Sequence, residues 1–105
     1  MIHVVAMLTT QPGQRSTVLQ AFTANAVAVR AEDGCIEYVA TVDAPGMPPS
    51  PGTLGDDTFV VVEKWASLAA LQAHAAAPHM KAYAASVKEL MAKRVIHVLQ
   101  PADAA

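Results

Sequence analysis

Several residues with the potential for acid–base chemistry lie close together in the second half of the chain. Glu63 and Trp65 are followed by His74, by a Pro-His pair that ends in His79, and then by Tyr83. A carboxylate held next to an imidazole can act as a general base or acid, so we expect Glu63 to pair with one of the two histidines. A structural ion pair that fixes a helix to a sheet is the alternative, and the residue types leave both interpretations open.

Glu63 is expected to lie on a buried face of a sheet. Residues 58–65 are typical of a strand, in which Phe59, Val61, Glu63 and Trp65 share one face. We assign that face to the helix side of the sheet. A carboxylate there must be either paired with a donor or held protonated.

Three aromatic residues are candidates to contact a substrate. Trp65 could form the wall of a pocket for a flat ligand by stacking, and Phe59 and Tyr83 could line the same space. Tyr83 lies four residues after His79, a spacing at which two side chains touch on a helix. The alternative for Trp65 is an ordinary core residue at the end of a strand.

The two histidines do not predict a metal site. They are five residues apart with Pro78 between them, which on an unbroken helix places them ~140° apart. Zinc-binding pairs on a helix are four residues apart and share one face. Cys35 is the single cysteine, so it forms neither an internal disulfide nor a zinc cluster, and we interpret it as a small buried residue. Glycine-rich phosphate loops and dinucleotide fingerprints are absent, so we expect neither a metal nor a cofactor.

The segments that position these residues alternate between strands and helices. The pattern predicts strands at residues 1–10, 35–42, 58–65 and 94–99, and helices at 15–31, 68–76 and 79–93. Pro78 interrupts the second helical region, and Gly34 suits the left-handed position that ends the first. This β-α-β-β-α-β order is that of a ferredoxin-like α+β fold, with a four-stranded antiparallel sheet and the helices on one face. Residues 1–100 are expected to form one domain, with a Pro/Gly-rich loop at 43–57 that is either a functional lid or a tolerated insertion, and a tail at 101–105.

The composition predicts a homodimer. The chain has 105 residues, of which 53% are apolar but only 5% aromatic, and much of the apolar share is alanine. The core of one chain is therefore thin, and the strands are apolar on both faces, so the sheet face without helices is expected to pack against a second chain. A net charge of −2 argues against nucleic-acid binding. Without an apolar run of ~20 residues or signal-peptide features, we expect a cytoplasmic protein that binds no membrane.

Three motifs together resemble the antibiotic biosynthesis monooxygenase domain family. They are Gly34-Cys35-Ile36-x-Tyr38, then Phe59-Val-Val-Val-Glu63-Lys-Trp65-x-Ser67, then Leu71-x-x-His74-x-x-x-Pro78-His79. The resemblance extends over roughly residues 1–100, and its specificity comes from the order and spacing of the motifs rather than from any one of them. It implies a dimeric α+β barrel with a pocket between each sheet and its helices. It also implies that Trp65 matches the family's pocket tryptophan, Glu63 its strand carboxylate, and His74 and His79 its helix histidines.

The resemblance implies a function as well. Some family members oxidise phenols or quinols with molecular oxygen and without a metal or flavin, so we expect a cofactor-independent monooxygenase acting on a small phenol, quinol or polycyclic aromatic. Glu63, His74 and His79 are its candidate catalytic residues, and any of them could be the base. Haem-degrading relatives carry an asparagine on the first strand near the position of Ala6 and Met7, which argues against haem degradation here.

Two other functions fit the same pattern. One is an isomerase or tautomerase of the autoinducer-processing type, which would use the Glu/His pair for proton transfer. The other is a dimer of the same fold that binds a small ligand without catalysis. The three functions differ in oxygen uptake, in exchange of solvent deuterium into substrate, and in binding without turnover.

Overall fold

Four strands form one antiparallel sheet in the computed structural model, which describes residues 1–103. The strand order is β2-β3-β1-β4, so the predicted ferredoxin-like α+β fold is confirmed. The elements in chain order are β1 (Ile2–Thr10), α1 (Arg15–Arg30), β2 (Cys35–Thr41), β3 (Thr58–Trp65), α2 (Leu68–Ala76), α3 (Pro78–Val87), a 3₁₀ turn (Lys88–Leu90) and β4 (Met91–Leu99). The segment between β2 and β3 contains only turns and irregular backbone.

The helix predicted at residues 79–93 is shorter in the structure. It ends at Val87, and the chain makes a 3₁₀ turn and enters β4 at Met91, three residues before the predicted start of the strand. Leu90 and Met91 fit the helical period, but the backbone carbonyl of Leu90 accepts from the amide of Gln11 at 2.7 Å, and Met91 pairs with Thr10 on β1. Sheet pairing therefore takes residues that periodicity alone assigns to a helix.

The core lies between the sheet and the helices. On β3 the alternate residues that were assigned to the helix side are indeed buried, and those between them are half-buried. The buried face of α1 carries Val18, Phe22, Ala26 and Val29, a spacing of three and four residues that keeps them on one side of a helix. Phe22 connects the layers, because its ring stacks on Tyr38 at 5.0 Å and meets Phe59 edge-on at 6.2 Å.

Part of β4 extends beyond the cover of the helices. Ile96 lies opposite Ala6 and Val98 opposite Val4, so both share the helix-side face of the sheet with those buried residues. Even so, Ile96 and Val98 are 48% and 52% exposed. The edge strand therefore presents an apolar surface on the side where the rest of the sheet is packed.

Two further structural findings bear on the site. Among residues 1–103, no helix is both long and apolar enough to cross a membrane. Gly34 has a φ of +84°, the left-handed conformation that the sequence predicted, but it lies in the turn before β2 rather than directly after α1, which ends at Arg30.

Candidate active site

A single carboxylate joins the two histidines. Oε2 of Glu32 lies 2.9 Å from Nδ1 of His74 and 3.0 Å from Nε2 of His79. The three side chains differ in exposure: His74 is 6% exposed, Glu32 15% and His79 31%. This acid–imidazole cluster, defined as Glu32, His74 and His79, therefore runs from the interior of the domain to its surface.

Pro78 explains how two histidines five residues apart reach one oxygen atom. Helix α2 ends at Ala76, Ala77 is extended with φ −64° and ψ 137°, and Pro78 opens α3 at its first position. Proline is well tolerated there because its missing N–H would have no partner in the first turn. The ~140° separation predicted for an unbroken helix does not apply to a chain that changes direction between the two residues.

Glu32 reaches the cluster because the connection between α1 and β2 packs closely against α2. A Cβ atom placed on Gly34 would lie 2.6 Å from Cβ of Ala70, a distance that real side chains do not tolerate. The carbonyl of Gly34 also accepts a hydrogen bond of 2.8 Å from the amide of Ala66. Glycine at this position allows a left-handed backbone in close contact with α2. This contact sets the position of the Glu32 carboxylate, two residues earlier.

Glu63 has a different partner from the one predicted. Its Oε1 accepts a hydrogen bond of 2.9 Å from the indole Nε1 of Trp65, two residues along the same strand, and the expected pairing with a histidine was wrong. Glu63 is 7% exposed. Burial raises its pKa above the usual value, the Trp65 hydrogen bond and the charge of His74 act in the opposite direction, and Glu32 raises it further.

The imidazole of His74 lies among aromatic rings. Its centroid is 4.6 Å from that of Trp65 and 5.5 Å from that of Tyr38, which it meets edge-on. An imidazolium in this position would be stabilised by the face of the indole as well as by Glu32. Burial also raises the pKa of the Tyr38 phenol well above its usual value, so this hydroxyl stays neutral beside the cluster.

The aromatic residues predicted to line a pocket are mostly core residues in this structure. Trp65 and Phe59 are fully buried, so neither presents a surface to a ligand, and the expected open space beside them is filled by His74 and Phe22. Tyr83 is partly buried and meets Phe22 edge-on at 6.3 Å. Burial raises the pKa of the Tyr83 phenol, and the charge of Arg94 lowers it.

A recess of about 310 Å³ lies along the outer edge of β2. It shares Tyr38 with the surroundings of His74, and none of Trp65, Phe59 and Tyr83 lines it. Its lining consists of Arg30, Cys35, Ile36, Glu37, Tyr38 and Val39. Its volume is at the lower end of the range of about 300–1,000 Å³ that is typical of small-molecule sites.

Within residues 1–103, no group of three or more His, Cys, Asp and Glu side chains is arranged to hold a metal ion. The acid–imidazole cluster instead has its ring nitrogens directed at one oxygen at hydrogen-bond distance. A carboxylate and two imidazoles are groups that can donate and accept protons.

The sequence did not reveal Glu32. It lies 42 residues before His74 and 47 before His79, so no local spacing relates it to either histidine. The usable signals were indirect: an acidic residue two positions before Gly34, and a proline that divides the helical region carrying the histidines.

The fold and the cluster together define a small α+β domain in which a carboxylate and two imidazoles lie at the edge of an apolar interior. Residues 1–86 match the antibiotic biosynthesis monooxygenase family. The chain therefore belongs to the antibiotic biosynthesis monooxygenase family, as the resemblance predicted.

Individual relatives agree with this assignment. The chain is 40% identical over 104 residues to the probable quinol monooxygenase YgiN of Escherichia coli K12, a match that covers 96% of this chain and 98% of that protein. The structure of Rv0793 from Mycobacterium tuberculosis matches with a TM-score of 0.78 at 31% identity, covering 99% of this chain and 97% of that one. The structure of PA3566 from Pseudomonas aeruginosa, with a TM-score of 0.79 at 23% identity and coverage of 95% and 92%, shares the fold. The family and the name of the Escherichia coli relative support the predicted assignment to the monooxygenases.

Proposed function

We propose that the protein oxidises a small quinol or phenol with molecular oxygen and needs no bound cofactor. The proposal is supported chiefly by the acid–imidazole cluster, in which a buried imidazole is held by a carboxylate beside Trp65 and Tyr38. Sequence similarity to a protein named a probable quinol monooxygenase supports a quinol as the substrate.

His74 is the general base of this proposal. Its Nδ1 is bonded to Glu32, which leaves Nε2 to accept the proton of a substrate hydroxyl. The carboxyl group of Glu63 accepts a hydrogen bond from the indole of Trp65, and burial favours its neutral form, so Glu63 is less suited to be the base. His79 is more exposed and bonds Glu32 from the solvent side of the cluster.

The reaction balances without an external reductant. Loss of the hydroxyl proton to His74 gives an electron-rich phenolate, which passes one electron to oxygen. Recombination forms a carbon–oxygen bond, and the resulting ring peroxide loses water. For a quinol, one oxygen atom enters the ring to give a hydroxyquinone and the other leaves as water, while the apolar surroundings protect the intermediates from hydrolysis.

Oxygen consumption with a panel of hydroquinones tests the proposal, measured against the autoxidation of each compound alone. We expect His74→Gln to lower kcat by about 10²-fold or more, because a positioned base contributes about 10²–10⁴-fold. His97→Gln is the matched control, because His97 is exposed on β4 and has no part in the cluster. Uptake no faster than autoxidation in the unaltered protein, across the panel, would contradict the proposal.

The same measurements separate the alternatives. Exchange of solvent deuterium into a carbonyl substrate without oxygen consumption would indicate an isomerase or tautomerase. Tight binding of a quinol with no turnover would indicate a ligand-binding module.

We also propose that the protein is a homodimer in which apolar surface on the helix-side face of β4, rather than the expected sheet face without helices, is covered by a second copy. Exposure of Ile96 and Val98 beside the packed part of the sheet supports this. Sedimentation equilibrium should give twice the chain mass, and Ile96→Glu should dissociate the dimer. Val27→Glu is the control, because Val27 is 73% exposed and belongs to α1 rather than to β4. A stable, folded monomer in the unaltered protein would contradict the proposal.

A further inference from the structure

One carboxylate oxygen faces two imidazoles through different ring nitrogens, Nδ1 of His74 and Nε2 of His79. We infer that Glu32 is a positioning residue that holds these two histidines in opposite ring tautomers and so makes Nε2 of His74 the free base. The inference extends the proposed function, because the base it orients is the one that acts on the substrate.

The tautomers follow from the donor and acceptor chemistry of the groups. An ionised carboxylate only accepts hydrogen bonds, so each ring nitrogen that faces Oε2 must carry a hydrogen. In the neutral state His74 is therefore the Nδ1–H tautomer with its lone pair on Nε2. His79 is the Nε2–H tautomer with its lone pair on Nδ1.

Nε2 of His74 is the ring nitrogen that takes no part in the bond to Glu32. In the part of the chain that the structure describes, residues 1–103, no side-chain nitrogen or oxygen is both buried and without a hydrogen-bond partner. His74 is a buried residue whose hydrogen bond to Glu32 is made by Nδ1, so Nε2 keeps a small accessible surface. The rings of Trp65 and Tyr38 fix the plane of the imidazole, and Glu32 fixes which nitrogen carries the hydrogen.

Without Glu32 the preference should reverse. A histidine side chain in water favours the Nε2–H tautomer, which would place a hydrogen on the nitrogen that has to accept the substrate proton. A similar loss of the correct tautomer severely impairs catalysis when the buried aspartate of a serine protease is replaced by asparagine. His79 supports Glu32 by bonding the same oxygen and restricting the rotation of the carboxylate.

Nitrogen-15 NMR of the imidazole rings tests the inference directly, because protonated and unprotonated ring nitrogens differ widely in chemical shift. Spectra are recorded at a pH where the rings are neutral, and resonances are assigned with His74→Gln and His79→Gln. We expect His74 to be Nδ1–H and His79 to be Nε2–H in the unaltered protein. In Glu32→Ala we expect His74 to change to Nε2–H. The Nε2–H form of His74 in the unaltered protein would overturn the inference, and this measurement needs no variant to fold.

Kinetics give the second readout. Glu32→Ala should lower kcat for quinol oxidation by about 10²-fold with KM changed less than about threefold, because the substrate still binds but meets the wrong tautomer. Glu32→Gln, which keeps the side-chain volume and loses the charge, should lower kcat by about tenfold or more. Asp33→Asn is the matched control, since it removes the same charge from the adjacent, exposed residue and should leave kcat unchanged.

Failure of the inference and failure of the proposed function are distinguishable. Opposite tautomers in a protein that consumes no oxygen would uphold the role of Glu32 and contradict the oxidation. Full turnover in a folded Glu32→Ala variant, with the tautomer of His74 unchanged, would overturn the role of Glu32 and leave the oxidation intact.

Discussion

Two carboxylates lie near His74, and they are held in contrasting ways. Glu63 stands on β3, nearly fully buried, with the uncharged indole N–H of Trp65 as its donor. Glu32 stands in the connection between α1 and β2, partly exposed, with two imidazoles as its donors. Burial raises the pKa of Glu63, whose donor is a neutral indole, whereas the partners of Glu32 are two imidazoles that can themselves carry protons. The contrast supports the proposal that Glu32 positions the histidines, whereas Glu63 fits a structural role on β3.

The largest effect is expected on the stability of variants that remove a hydrogen-bond partner of each carboxylate. Trp65→Ala should lower the free energy of unfolding by about 3–5 kcal/mol, because it leaves a cavity and removes the donor to a buried carboxyl group. His79→Ala, the counterpart on the side of Glu32, should cost about 1 kcal/mol, because His79 is partly exposed and Glu32 keeps its bond to His74.

Urea denaturation of both variants measures the two free energies of unfolding. The slope of the free energy against urea concentration should stay unchanged, which shows that the folded and unfolded states remain comparable. Similar losses in the two variants would mean that the two carboxylates do not differ in structural importance. A loss in Trp65→Ala below about 1 kcal/mol would mean that the interior rearranges to fill the space of the indole.

The sequence predicted the strand carboxylate better than the one in the connection, for a physical reason. Strand periodicity is local, so the residue pattern of β3 alone placed Glu63 and Trp65 on the buried face. The partner of each group depends on tertiary structure. The cluster forms only because Pro78 redirects the chain between the two histidines and Gly34 allows the α1–β2 connection to approach α2. The same limit applies to Leu90 and Met91, whose spacing fits a helix but whose position is decided by pairing with β1.

A smaller effect is expected from the pH dependence of stability. Glu63 holds its proton more tightly in the folded protein than in the unfolded chain, because burial raises its pKa. The folded state therefore binds more protons between the usual pKa of glutamate and the raised one, and the free energy of unfolding falls as pH rises through that window. Glu63→Gln is neutral at every pH and keeps an acceptor for Trp65, so it should gain stability relative to the unaltered protein as pH rises.

Thermal or urea unfolding at pH values below and above this window measures the effect. The control is Glu37→Gln, because Glu37 forms a half-exposed ion pair with Lys64 at 2.9 Å that should contribute about 0–1 kcal/mol. A difference between Glu63→Gln and the unaltered protein that stays constant with pH would contradict the assignment of a raised pKa.

The smallest effect is expected at a third carboxylate, whose hydrogen-bond donors are backbone amides. The oxygens of Asp43 accept hydrogen bonds from the amides of Leu54 and Gly55 at 2.9–3.0 Å, and these bonds hold the pKa of the exposed carboxyl below its usual value. Their stabilising contribution is present above the usual pKa of aspartate and is lost as pH falls through the lowered one.

Asp43→Asn removes the charge and one acceptor oxygen, so amide hydrogen exchange at Leu54 and Gly55 should become faster. The midpoint of global unfolding should not move, because the segment between β2 and β3 is mostly exposed and contributes no residue to the buried core. Asp56→Asn, an exposed carboxylate in the same segment, is the control and should leave exchange at both amides unchanged. A fall in global stability comparable to that of Trp65→Ala would show instead that the segment is coupled to the core. In that case all three carboxylates would have to be treated as parts of one cooperative structure.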